Sequence, residues 1–123
     1  MQNRGVEWLI EAHGCDAWRL RDAASVEALF RALTRGMSLH PLGKTSWHQF
    51  PGTWGITAVR LLSESHLTCH TFPEFGSICV NVFCCRQRLE PDFDTLMRGH
   101  FGAASVNVRR IERVFELEHA AEA

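Results

Sequence analysis

The stretch "GITAVRLLSESHLTCHTFPEFGSICVNVFCC", residues 55–85, decides the fold. It divides into three apolar, β-favouring runs, residues 55–64, 65–72 and 77–85. "PEFG" (73–76) makes the turn between the last two, since its proline cannot serve a central ladder. Three strands in such close succession are read as part of a mostly antiparallel sheet.

Upstream, "VEWLIEAHGC" (6–15) reads as a first strand. "DAASVEALFRALTRG" (22–36) reads as a helix, with Val26, Leu29, Phe30 and Leu33 at helical spacing. Ser25 is the expected N-cap, with Ala28 where a capping-box glutamate would sit, and Gly36 closes the end. "SLHPLGKTSWHQF" (38–50) is broken by Pro41 and Gly43, then resumes as a short strand before the turn cluster "FPGTWG" (50–55). Downstream, "EPDFDTLMRGHFG" (90–102) predicts a second helix, with Phe93, Leu96, Met97 and His100 or Phe101 on one face. "SVNVRRIERVFEL" (105–117) predicts a last strand. The order β, α, several β, α, β predicts an α+β two-layer sandwich: a mostly antiparallel sheet with helices on one face.

The 123 residues, 46% hydrophobic and 22% charged, fit one ordinary globular domain spanning 1–123. A net charge of −1, with only Arg109 and Arg110 adjacent among the arginines, gives no electrostatic case for nucleic acid or a membrane surface. No apolar run approaches the roughly 18 residues of a membrane span. Lys44 is the only lysine, so lysine-based Schiff-base chemistry, pyridoxal phosphate included, would have to use it. It sits in the loop-like "HPLGKTSW", a poor place for a buried amine of lowered pKa. The cysteines are Cys15, Cys69, Cys79, Cys84 and Cys85, an odd count, and "MQNRGVEWLIEAHGCD" has no secretory pattern. A reduced, cytoplasmic protein with free thiols is expected.

"SESHLTCHTFPE" (63–74) concentrates the reactive side chains. In a strand, Ser65, Leu67, Cys69 and Thr71 share one face, and His66, Thr68, His70 and Phe72 the other. Both faces are chemically mixed, so alternation does not say which is buried. The run fits an ordinary half-exposed strand, a metal site or a nucleophile site. His66, Cys69, His70 and Cys84 or Cys85 are ligand types that suit zinc, but no CxxC pair is present and adjacent strand cysteines point oppositely. The third reading has Ser65 activated by a nearby base, with a thiol from the neighbouring strand.

"LLSESHLTCHTFPEFG" followed by a strand ending in "VFCC" resembles the prokaryotic S-adenosylmethionine (AdoMet) decarboxylase family. That family has a glutamate–serine–histidine run, a histidine five residues after the serine, a Trp/Phe-Pro-Glu turn and a cysteine twenty residues after the serine. Ser65, His70, "FPE" (72–74) and Cys85 meet each spacing. "HGCD" (13–16) and "WHQF" (47–50) extend the similarity more weakly.

The resemblance implies a chain that makes its own cofactor. The Ser65 hydroxyl attacks the Glu64 carbonyl, the resulting ester is eliminated, and residue 65 becomes a pyruvoyl group. The mature protein would consist of residues 1–64 and 65–123. The pyruvoyl carbonyl forms an imine with the substrate amine and acts as the electron sink for decarboxylation, so no enzyme lysine is needed. By the same resemblance His70 takes the Ser65 α-proton, Thr57 helps stabilise the processing oxyanion, and Cys85 returns a proton to the substrate carbon. Glu74 binds ribose hydroxyls and Phe50 stacks on adenine. The ordinary readings of these positions are a strand histidine, a β-forming threonine, a buried thiol, a turn glutamate and a core phenylalanine. The resemblance further implies a homodimer of processed protomers, a site near the interface, and a product that donates aminopropyl groups for polyamine (spermidine) synthesis.

The sequence departs from the family at Ala58, where glycine is common, and at Arg60, in a normally aliphatic stretch. It also has Cys84-Cys85-Arg86 in place of Thr-Cys-Gly, and "IERV" (111–114) in place of a Glu-Arg-Gly step. None removes a processing residue, but they leave substrate choice open. A pyruvoyl-dependent arginine or ornithine decarboxylase is the alternative, and a binding or regulatory relative that never cleaves is a further one. "CCRQR" (84–88) places arginines where they would be poor neighbours for a cationic substrate tail.

Overall fold

The computed structural model describes residues 4–117, so the first three and last six residues of the expected 1–123 unit lie outside the described residues. The elements are β1 (Arg4–His13), α1 (Ala17–Leu20), α2 (Ala23–Gly36), β2 (Ser46–Gln49), β3 (Ile56–Leu62), β4 (Ser65–Phe72), β5 (Ser77–Cys84), α3 (Phe93–Phe101) and β6 (Ser105–Val114). The six strands form one sheet in the order β2-β3-β4-β5-β1-β6, with each neighbouring pair antiparallel. The three runs that opened the sequence are β3, β4 and β5. Tight turns join them, with Leu62 opposite Ser65 and Phe72 opposite Ser77. The helices lie in the two longer connections, β1 to β2 and β5 to β6.

Strand alternation sets the core. Val6, Trp8, Ile10 and Ala12 of β1 are fully buried, and Leu67, Cys69, Ile78 and Val82 join them from β4 and β5. Val26, Leu29, Phe30 and Leu33 of α2, and Phe93, Met97 and Phe101 of α3, cover that face. Each such apolar side chain contributes roughly 1.5–3 kcal/mol relative to exposure. Trp8 is placed by polarity as well, its indole N–H donating to Glu90 at 2.8 Å. The other sheet face is open, with Val59 and Leu61 of β3 exposed on it. This is the α+β two-layer arrangement with helices on one face.

Several boundaries differ from expectation. α2 is capped by Asp22, not Ser25: the Asp22 carboxylate accepts from Ala24 N–H and from the Ser25 hydroxyl. A carboxylate one residue outside the helix reaches the free N–H groups, whereas Ser25 is already inside. Gly36 is the last residue of the helix, as read, although the left-handed residue that turns the chain is Ser38, φ 56°. β1 runs two residues earlier than read, ending at His13 because Gly14 turns the chain at φ 69°. The short α1 was not foreseen. β5 ends at Cys84, and β6 ends at Val114.

Gly102 closes α3 at φ +68°, where an added Cβ would sit 2.6 Å from an Asp16 carboxylate oxygen. Gly102→Ala is expected to cost about 1–3 kcal/mol through the left-handed backbone, with the contact adding to it. The loss should appear as a lower urea midpoint at unchanged slope.

Candidate active site

Ser63 and Glu64 form the turn between β3 and β4, so Ser65 is the first residue of β4. Its side chain points to the core, and Ser65 Oγ is buried without a hydrogen-bond partner. Across the ladder Ser65 pairs with Cys84, a buried thiol on the same face. Burial pushes the Cys84 pKa up, while the Arg88 charge and the Ser65 hydroxyl pull the other way. A thiol is a weak acceptor and leaves the hydroxyl unanchored.

The carbonyl that precedes Ser65 is held firmly. The Cys85 backbone N–H donates to the Glu64 carbonyl oxygen at 2.9 Å. That contact polarises the carbonyl and would strengthen as negative charge develops on the oxygen. The Cys85 side chain is exposed just beyond the end of β5, not buried as a free cysteine usually is. The Glu64 carboxylate is paired with Arg86, whose Nε donates to it, and Arg88 Nη2 lies 4.0 Å away.

Thr57, His70, Glu74 and Phe50 come together elsewhere. They line a cleft of about 490 Å³ with Thr53 and Phe72, at the opposite end of β4 from Ser65. Thr57 and His70 are ladder partners on the open face, their Oγ1 and Nδ1 atoms 3.0 Å apart. Phe50 is 46% exposed rather than a core residue, with His48 edge-on at 4.5 Å between ring centroids. The cleft therefore offers aromatic faces, a carboxylate and a hydroxyl–imidazole pair, and its volume suits a small organic ligand.

Within one chain the two groups do not meet. Five residues of strand separate Ser65 from His70, roughly 17 Å at 3.4 Å per residue. The odd spacing also puts Ser65 on the core face and His70 on the open face. Thr57 is correspondingly remote from the Glu64 carbonyl, and the donor found there is the Cys85 N–H. Sequence reasoning missed that donor because main-chain groups carry no residue signature. It noted the "CCRQR" arginines but not that they reach back across the hairpin to Glu64.

The proposed zinc ligands are split: Cys69 and Cys84 point into the core, whereas His70 points out. Burial raises the Cys69 pKa to about 12 and the Cys15 pKa to about 11, which keeps both protonated and poor as ligands. Among the described residues no group of three or more His, Cys, Asp or Glu is placed to hold a metal. A larger cleft of about 630 Å³, lined by Glu27, Lys44, Trp47 and Arg60, lies between α2 and the β2–β3 edge, away from the cleavage turn. It holds the only lysine but no Ser65, His70 or Cys85.

A family model described as S-adenosylmethionine decarboxylase matches residues 6–114. The S-adenosylmethionine decarboxylase proenzyme of Clostridium tetani is 34% identical over 120 residues, covering 94% of this chain and 92% of that protein. The proenzyme of the same name from Moorella thermoacetica is 36% identical over 116 residues, covering 92% and 90%. The crystal structure of the adenosylmethionine decarboxylase from Aquifex aeolicus shares the fold, with a TM-score of 0.75 at 22% identity over 96% of this chain and 97% of that one. On sequence and family match together, this chain belongs to the S-adenosylmethionine decarboxylase family.

Proposed function

We propose that this chain is a proenzyme that cuts itself between Glu64 and Ser65 and then decarboxylates S-adenosylmethionine. One observation carries the reading. A buried, unpartnered Ser65 hydroxyl adjoins a Glu64 carbonyl already held by the Cys85 N–H. An unsatisfied buried hydroxyl costs roughly 1–3 kcal/mol, a cost that fits a poised nucleophile better than a structural serine.

In the first step Ser65 Oγ bonds to the Glu64 carbonyl carbon, the peptide C–N bond breaks, and the hydroxyl proton ends on the freed amine. Removal of the Ser65 α-proton then breaks the Cβ–Oγ bond, and the Glu64 carboxylate leaves. The resulting enamine tautomerises to an imine, and water adds to it and displaces ammonia, leaving residue 65 as a pyruvoyl group. The serine environment fits this origin, because the orphaned Oγ is the one atom the chemistry must have free. Once formed, the group supplies the electron sink that decarboxylation requires.

The chain's own residues bind and move protons. Phe50 and Phe72 offer surfaces for adenine, and Glu74 can accept from ribose hydroxyls. His70, oriented by Thr57, accepts the α-proton, and the exposed Cys85 thiol returns a proton to the substrate carbon.

The separation of Ser65 from His70 along β4 is met by two copies, with His70 approaching the backbone at residue 65 rather than the core-facing hydroxyl. A two-fold contact through the open sheet faces, with β4 antiparallel to its copy, brings the start of one β4 to the end of the other. The exposed Val59 and Leu61 lie on the face this contact would cover. The proposed active form is a cytoplasmic homodimer of cleaved protomers, 1–64 and 65–123, whose product feeds polyamine synthesis.

Release of CO₂ from AdoMet, arginine and ornithine, measured in parallel with purified protein, tests the substrate. Release from AdoMet alone is expected, and release confined to a basic amino acid would overturn the assignment.

A further inference from the structure

We infer that Arg88, assisted by Arg86, is a receptor for the α-carboxylate that forms on residue 64 as it leaves Ser65 during self-cleavage. This inference rests on the self-cleavage proposed above. Before cleavage residue 64 carries one carboxylate, its side chain, against two guanidiniums. Arg86, 70% exposed, already donates to that side chain. Arg88 is the more buried of the two, with its side chain 22% exposed, and is less well used. Its Nη1 donates to the adjacent Gln87 carbonyl at 3.2 Å, its Nη2 stands 4.0 Å from Glu64 Oε1, and its Nε is buried with no partner at all. A buried guanidinium N–H without an acceptor is costly.

Cleavage supplies the acceptor. When the Ser65 Cβ–Oγ bond breaks, the electron pair stays on Oγ, which becomes part of a new α-carboxylate on Glu64. Residue 64 then carries two carboxylates beside two guanidiniums, and the local charge is balanced. A cation beside a leaving carboxylate lowers the barrier to elimination, because the charge develops as the bond breaks. Arg88 lies beside this chemistry: its charge acts on Cys84, the ladder partner of Ser65.

The test separates the two steps of processing. Freshly made precursor is followed by denaturing electrophoresis, with and without hydroxylamine, which cuts the ester intermediate but not the amide. Wild-type chain should cut itself with little ester at any time. Arg88→Ala should slow cleavage roughly tenfold or more, the scale of losing one charge-stabilising donor, and should accumulate hydroxylamine-sensitive ester. Arg88→Lys should recover much of the rate, because it keeps the charge. Wild-type speed in Arg88→Ala would overturn the inference, as would slow cleavage without ester, which places the defect before elimination or in folding. A wild-type chain that never cuts overturns the self-cleavage itself.

Discussion

Ser65→Ala is expected to give a single uncut chain and no CO₂ release from any substrate. The change removes the hydroxyl that the proposed acyl shift uses and, with it, the proposed source of the pyruvoyl group; the neighbouring Cys84 and Cys85 thiols are not on residue 65 and cannot become that group. No other residue can take over the electron-sink chemistry. Lys44, the only lysine, lines the separate cleft between α2 and the β2–β3 edge. Activity should fall to background, a loss of at least roughly 10⁶-fold on the usual scale of enzymatic acceleration. The fold should survive intact. Ser65 Oγ has no partner beyond the weakly accepting Cys84 thiol, so its removal should leave the thermal midpoint nearly unchanged or raise it. A cut chain in this variant would contradict the mechanism.

His70→Ala is expected to block cleavage on its own, and co-expression with Ser65→Ala to restore it in part. Ser65 and His70 lie at opposite ends and on opposite faces of β4, so the proposed site takes each from a different copy. A mixed dimer rebuilds one complete site, joining Ser65 of the His70→Ala chain to His70 of the Ser65→Ala chain. With random assortment of equal amounts, about half of the His70→Ala chains should be cut, and none of the Ser65→Ala chains. Absence of cutting in a mixture whose mixed dimers are verified would place His70 outside processing. Efficient cutting of His70→Ala alone would do the same.

Much of this was readable before the fold was known. β3, β4 and β5 are bounded by strong turn chemistry, so their existence and order followed from the residues. The parity of positions 65 and 70 already put the two side chains on different faces, and the adjacent Cys84 and Cys85 were expected to point apart, as they do. Which face of β4 is buried was not legible, because Ser65, Leu67, Cys69 and Thr71 differ little in polarity from their alternates. Packing of α2 and α3 decides it, and Thr71 is accommodated there by donating to the Leu20 carbonyl at 2.7 Å. The cap of α2 was misread because Asp22 and Ser25 are both good cap residues, and only geometry shows the serine bonded to the aspartate. The hold of Arg86 and Arg88 on Glu64 spans more than twenty residues of chain, and spacing gives no hint of a contact across a hairpin.

The intact mass of the purified protein under denaturing conditions tests self-cleavage most directly. Two fragments are expected, one ending at Glu64 and the other beginning at residue 65, the second lighter than the encoded sequence by the change from a serine amine terminus to a pyruvoyl group. A single full-length mass in correctly folded protein would contradict self-cleavage and leave the family fold without its cofactor.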